Sequence, residues 1–134
     1  LIDIALNDIG QLYVKFGEGI IRQTVDRFYD LMDTEPQFKR LREIHPADST
    51  ESRNKLFSFL VGRLGGPPLY QEKYGSPMLR ARHAPFPIGP VERDQWMACM
   101  TMAVLETISS PDITALLLGF LDKVADAMQN RAES

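Results

Sequence analysis

The chain has 134 residues, 44% of them apolar, enough for one contiguous core, and this predicts a single domain over residues 1–134. Its net charge of −3 at pH 7 lacks the basic surface that draws nucleic acid or anionic membrane, so neither is an expected partner. A lone cysteine, Cys99, excludes an internal disulfide; with no apolar run near the ~20 residues that cross a bilayer and no leader-like start, a cytoplasmic protein is expected.

From Glu18 to Met32 the apolar residues Ile21, Val25, Phe28 and Met32 recur at helical spacing with charged residues between them, which predicts an amphipathic helix. Tyr29 stands one turn beyond Val25, at the edge of the apolar stripe, where its ring can reach an internal cavity. Pro36 interrupts the pattern. A short stretch with Phe38, Leu41 and Ile44 leads to His45-Pro46, where the residue before proline is pushed out of helical geometry and a bend is expected.

Thr50 or Ser52 can cap a second helix with Leu56, Phe59, Leu60 and Leu64 on one face and Arg53, Lys55 and Arg63 available to solvent. Gly65-Gly66-Pro67-Pro68 ends it, and a polar loop is expected to follow. Ser76-Pro77 reads as the cap and first turn of a short helix that runs to about Ala84, before Pro85 and Pro87, with His83 in its last turn. A further long helix opens at Gly89-Pro90 and carries Trp96, Met100, Ala103, Val104 and Ile108. The last opens at Ser110-Pro111 and carries Ile113, Leu116, Leu117, Phe120, Leu121 and Val124. No segment alternates with the two-residue period of a strand, so the expected fold is all-α.

The chain has no phosphate-binding glycine loop, no zinc spacing of paired Cys and His, and no nucleophile elbow, which leaves hydrolase and nucleotide readings weak. Its two histidines stand in different settings, His45 in a bend and His83 at a helix end between Arg80, Arg82 and Pro85. A lone histidine near a helix C-terminus is commonly structural, since its protonated form suits the dipole there. Arginines beside it and Phe86 just beyond also suit a flat, apolar cofactor that ends in carboxylates. Haem is such a cofactor: its iron needs an axial imidazole, its faces need apolar walls, and its propionates need cations or hydroxyls at the rim.

The run Gly65-Gly66-Pro67 to Tyr70, followed by RARHAPFPIGPVERDQWMACM from Arg80 to Met100, resembles the truncated haemoglobins of group II, and with Arg27-Phe28-Tyr29 and the Pro46 bend the resemblance covers roughly residues 18 to 125. It implies a two-over-two helical sandwich around haem, with His83 as the proximal iron ligand. It further implies that Tyr29, Trp96 and the residue before Pro46 face the bound ligand. That residue is His45, where the family usually has tyrosine or phenylalanine. An imidazole there can donate to the ligand, bond Tyr29, or bind iron as a sixth ligand, and can change its proton count near neutral pH. Ser52 takes the usual distal-histidine position and is too short to dominate, which leaves a route for ligands from solvent.

The expected haem wall is Phe38, Leu56, Phe59, Leu60, Phe86, Ile88, Met100 and Val104, with Ser52 at its edge and Arg82, Tyr70 and Arg63 as propionate partners. The Cys-X-X-Cys-His attachment signature is missing, so haem b held non-covalently is expected. The first functional expectation is binding or transport of dioxygen, with nitric oxide and carbon monoxide as related ligands. Nitric oxide dioxygenase or peroxidase-like chemistry, or nitrite reduction, would need a separate reductase. A haem-based sensor or regulatory module and a helical bundle without cofactor are the competing readings.

Overall fold

The computed structural model describes residues 9–134, and among these no strand occurs. The first long helix, α1, spans Leu12–Thr34, six residues earlier than the apolar pattern predicts. Its start is broken at Gly17, whose φ of 70° and ψ of −179° no helix contains. Glu35 leaves the helix in extended geometry, as a residue before proline must, and a 3-10 turn follows at Pro36–Phe38. A short helix, α2 (Lys39–Glu43), leads to the predicted bend at His45-Pro46.

The next helix, α3 (Thr50–Arg63), is capped neither by Thr50 nor by Ser52. Asp48 Oδ1 accepts from the Thr50 N–H at 2.9 Å, so an acidic group at the positive helix end takes that task. The double glycine ends α3 for a steric reason. Gly65 has φ of 103°, and a Cβ there would lie 1.8 Å from the Gly10 carbonyl oxygen.

The expected polar loop after Pro68 contains a helix, α4 (Leu69–Tyr74), which buries Tyr70. Ser76-Pro77 does not open the following helix either. That helix, α5 (Leu79–His83), begins behind Met78, which sits in left-handed geometry at φ 42°, ψ 56°. The two remaining helices start where the proline signals place them, α6 at Pro90–Thr107 and α7 at Pro111–Met128. Glu92 accepts from the Gly89 N–H at 2.9 Å, and Ser110 caps α7.

Helices α1 and α3 form one layer, α6 and α7 the other, and α1 packs across α6 to join them, giving the two-over-two sandwich of the truncated globins. Phe28, Phe38, Leu41, Leu64, Met100, Val104 and Leu121 are buried to 2% exposure or less where these helices meet. None of the described helices is long and apolar enough to cross a membrane.

Candidate functional site

A cavity of about 460 Å³ lies between the layers, within the ~300–1,000 Å³ common to cofactor and small-molecule pockets. Of the sequence-predicted residues it brings together Tyr29 of α1, His45 of the bend, Ser52, Leu56 and Phe59 of α3, and Tyr70 of α4. Arg82 and His83 of α5, Phe86 and Ile88 of the following loop, and Trp96 of α6 complete this set. Phe38, Leu60, Met100 and Val104 are buried outside its lining. Arg63 lines a second, more open cavity beside Pro77–Ala81 and lays its guanidinium over Phe120.

Both imidazoles in the cavity wall are oriented by the same local device. His83 Nδ1 lies 2.7 Å from the Leu79 carbonyl and His45 Nδ1 lies 2.9 Å from the Leu41 carbonyl, each one helical turn back. A carbonyl can only accept, so each Nδ1 carries a hydrogen, and Nε2 is the nitrogen left to bind a metal when the ring is neutral. Burial lowers the His45 pKa below the ordinary imidazole value. Its bond to Leu41 opposes that shift, and the nearby Arg42 cation reinforces it, so the ring is neutral at pH 7.

Tyr29 and Trp96 are 6% and 9% exposed, and the Phe28 ring stands edge-on to both, at 4.9 and 5.6 Å between centroids. Phe28 thus fixes two aromatic donors with one ring, a role its sequence position gives only as core packing. Burial raises the Tyr29 phenol, outweighing the Arg53 cation, so it remains a protonated donor. Its hydroxyl lies 3.4 Å from the Ser52 carbonyl. That is well beyond the ~2.7–2.8 Å of a good O–H···O bond, so the hydroxyl is free to turn to a better acceptor. The His45 ring meets Tyr29 edge-on at 5.9 Å, placing a third polar group on the same stretch of wall.

At the rim, Arg82 donates to the carbonyls of Tyr74 at 2.8 Å and Ser76 at 2.9 Å, and lies over the Tyr70 ring. Lys55, expected only at solvent, also lines the cavity. Its spacing of three from Ser52 is the signal that puts both on one helix face. Arg53 does not project into solvent as expected: its side chain is 19% exposed and engaged by Asp26 and Asp30 of α1. Leu79, Glu92 and Met128 are further lining residues that periodicity did not single out, and Leu41 and Ile44, read only as part of an apolar stretch, line the cavity too.

The donor set fits haem: two imidazoles whose Nδ1 atoms are held by backbone carbonyls, aromatic and aliphatic walls, and the cations Lys55 and Arg82 at the edge. The family model described as bacterial-like globin matches residues 11–130. Group 2 truncated hemoglobin YjbI of Bacillus subtilis is 42% identical over 122 residues, covering 91% of this chain and 90% of its own length. The group II 2-on-2 hemoglobin of the plant pathogen Agrobacterium tumefaciens superposes with a TM-score of 0.87 at 45% identity, over 90% of this chain and 94% of that one. The truncated oxygen-avid haemoglobin of Bacillus subtilis does so with 0.81 at 42% identity, over 88% and 98%.

Proposed function

Since the chain belongs to the bacterial-like globins and, within them, to the group II two-on-two truncated haemoglobins, we propose that it holds one non-covalent haem b through His83 Nε2 and binds dioxygen in the same cavity. When bound, haem would supply an iron able to take a diatomic ligand. The observation that carries the reading is the pairing of His83, its Nδ1 held 2.7 Å from the Leu79 carbonyl, with three polar rings in the same cavity lining.

The remaining chemistry belongs to this chain. Tyr29 gives a hydroxyl hydrogen, Trp96 gives an indole hydrogen and cannot accept, and neutral His45 can accept at Nε2. A small ligand that gathers negative charge would therefore be met by donors from side chains that are 6% and 9% exposed at Tyr29 and Trp96. The weak bond from Tyr29 to Ser52 makes the turn towards such a ligand inexpensive. Lys55, Arg82 and Tyr70 line the cavity and would meet the propionates, and the short Ser52 side chain would leave a route for ligands from solvent.

Dioxygen, nitric oxide and carbon monoxide are all of a size for this wall. Oxidation of nitric oxide, or reduction of peroxide or nitrite, would draw electrons from a separate reductase. Support for the oxygen reading comes from the donor wall and from the relative described as oxygen-avid.

Titrating the haem-free protein with hemin tests the proposal: a Soret band should saturate at one equivalent. Stopped-flow dissociation of dioxygen should quicken roughly tenfold in Tyr29→Phe or Trp96→Phe, the loss of about one hydrogen bond strengthened by a dry site. Parental dissociation rates in both variants would remove the donor wall from the function, and a protein that takes up no hemin would end the haem reading.

A further inference from the structure

The chain beyond α7 turns back over the loop that follows His83. Asn130 turns its side-chain amide onto that loop: Nδ2 donates to the carbonyls of His83 at 3.0 Å and Phe86 at 2.9 Å, and Oδ1 accepts from the Ile88 N–H at 3.0 Å as well as from Arg131 Nη1 at 3.0 Å. Its backbone N–H donates to the Ile88 carbonyl at 2.8 Å, which Arg131 N–H also reaches at 3.0 Å. Ser134 extends the tie, accepting from the Val91 N–H and donating to Glu92, both at 2.7 Å. The fit is close, for a Cβ on Gly89 would lie 2.4 Å from Ser134 Oγ and 2.7 Å from the Glu133 carbonyl oxygen.

The helix that carries His83 has five residues and begins behind a left-handed Met78. A single helical turn does not hold its own geometry in water, because nucleation costs more than its few hydrogen bonds return. The angle of the His83 ring therefore depends on ties from outside α5. Inside the helix the ring is fixed to Leu79. Beyond it the His83 carbonyl is shared between the Phe86 N–H and Asn130. Among the described residues, Asn130 is the one side chain that meets the backbone of residues 83, 86 and 88 together.

We propose that Asn130 is a positioning residue for the proximal side, a strap from the end of α7 that fixes the His83–Ile88 turn and so the direction in which His83 presents Nε2. The inference rests on the haem reading above. It assigns to the residues after α7 a role in tuning the iron–imidazole bond, with no contact between Asn130 and the cofactor. Asn130 lies at the surface, where water competes for the same groups, so its effect is graded.

Two variants separate its donors from its acceptor. Asn130→Asp keeps an oxygen for the Ile88 N–H and loses both donors, whereas Asn130→Leu loses all three bonds. In the haem-free protein, amide hydrogen exchange at Ile88 should quicken about three- to tenfold in the Leu variant and stay near parental in the Asp variant. After hemin loading and reduction, resonance Raman should show the iron–imidazole stretch shifted or broadened in both variants, and hemin transfer to a scavenger globin should quicken about three- to tenfold. Should the Leu variant fold poorly, the Asp variant carries the comparison alone. A parent that takes up no hemin refutes the haem reading. A parent that binds hemin, with a band and transfer rate shared by both variants, refutes the strap.

Discussion

Arg53 is the most heavily engaged side chain behind the cavity wall, and its replacement by methionine offers a quantitative test of how α3 is fastened to α1. Its guanidinium lies 2.8 Å from Asp30, 3.2 Å from Asp26 and 3.9 Å from Asp33, its Nε donates to Ser49 at 2.9 Å, and it stands 5.6 Å from the centre of the Tyr29 ring. The carboxylates are 39–53% exposed, so each close ion pair is discounted to about 0.5 kcal/mol. The cation over the Tyr29 ring adds about 0.5–1 kcal/mol, and removing the charge takes from Asp30 its ion-pair partner, while Asp26 and Asp33 keep Arg22 and Arg42. Methionine keeps the apolar stem, so packing is largely retained. The expected cost of Arg53→Met is about 2 kcal/mol at low salt, a fall in Tm of about 8 °C for a chain of this size. Thermal and urea unfolding of the haem-free protein reads it without the stabilisation that bound cofactor adds. In about 1 M salt, where the Debye length shrinks to ~3 Å, roughly half the difference should vanish. Arg53→Lys should recover part of the loss, having the charge without the planar fork. A loss under about 0.5 kcal/mol, or one indifferent to salt, refutes the argument that this network fastens the two helices.

Glu92 is 5% exposed; burial alone would raise its carboxyl, yet the Ser134 hydroxyl, the Gly89 N–H and Arg40 at 3.0 Å outweigh this and hold it below the ordinary 4.5. A carboxylate whose folded pKa is depressed stabilises the fold above its unfolded pKa and loses that contribution as pH falls through the folded one. Glu92→Gln should therefore cost about 1–2 kcal/mol at pH 7, and urea unfolding should show the gap to the parent closing below about pH 4. The Cys99 thiol is fully buried, donates to the Phe28 carbonyl at 3.2 Å, and is pushed by burial up to about 12. An aromatic disulfide reagent at pH 8 should leave it unmodified in the native protein and react at once in denaturant; rapid native labelling would place it elsewhere. Gly65→Ala should destabilise by about 2 kcal/mol or more in the same unfolding assay, since it combines a φ of 103° with a collision at Gly10, and a neutral result would mean the α1 entry does not pack there.

What the sequence revealed and concealed follows from the range of the forces involved. The starts of helices α6 and α7 were legible because Gly89-Pro90 and Ser110-Pro111 act within one turn of the chain. Helix α4 was not, for its six residues are too few to display an apolar period, and Tyr70 is buried by Phe59 of another helix. The start of α5 was misplaced by two residues because the local proline signal at Pro77 gives way to the left-handed turn at Met78. Arg53 was read as solvated from its own helix alone. The partner signal was nevertheless present: Asp26, Asp30 and Asp33 stand at intervals of four and three, one face of α1. The cavity unites residues 29 to 128, so its membership depends on long-range packing that spacing cannot supply.

The two histidines sharpen that point, since local geometry makes them equivalent. Each bonds its Nδ1 to the carbonyl four residues back and leaves Nε2 as the remaining nitrogen, so this local bond alone does not decide which would bind iron. Their supports differ. Behind His45, Arg42 grips the carbonyls of His45, Pro46 and Ala47, and the ring stands against Tyr29, whose hydroxyl can engage its Nε2. Behind His83 stands Asn130, and the ring makes no aromatic pair among the described residues. His83 is thus the imidazole with less to give up on binding a metal. His83→Ala should abolish the stable Soret band or leave a form restored by added imidazole, whereas His45→Ala should retain hemin and change only the ligand-dissociation rate and any six-coordinate spectrum. The reverse pattern would move the axial bond to the bend before Pro46 and turn the site around.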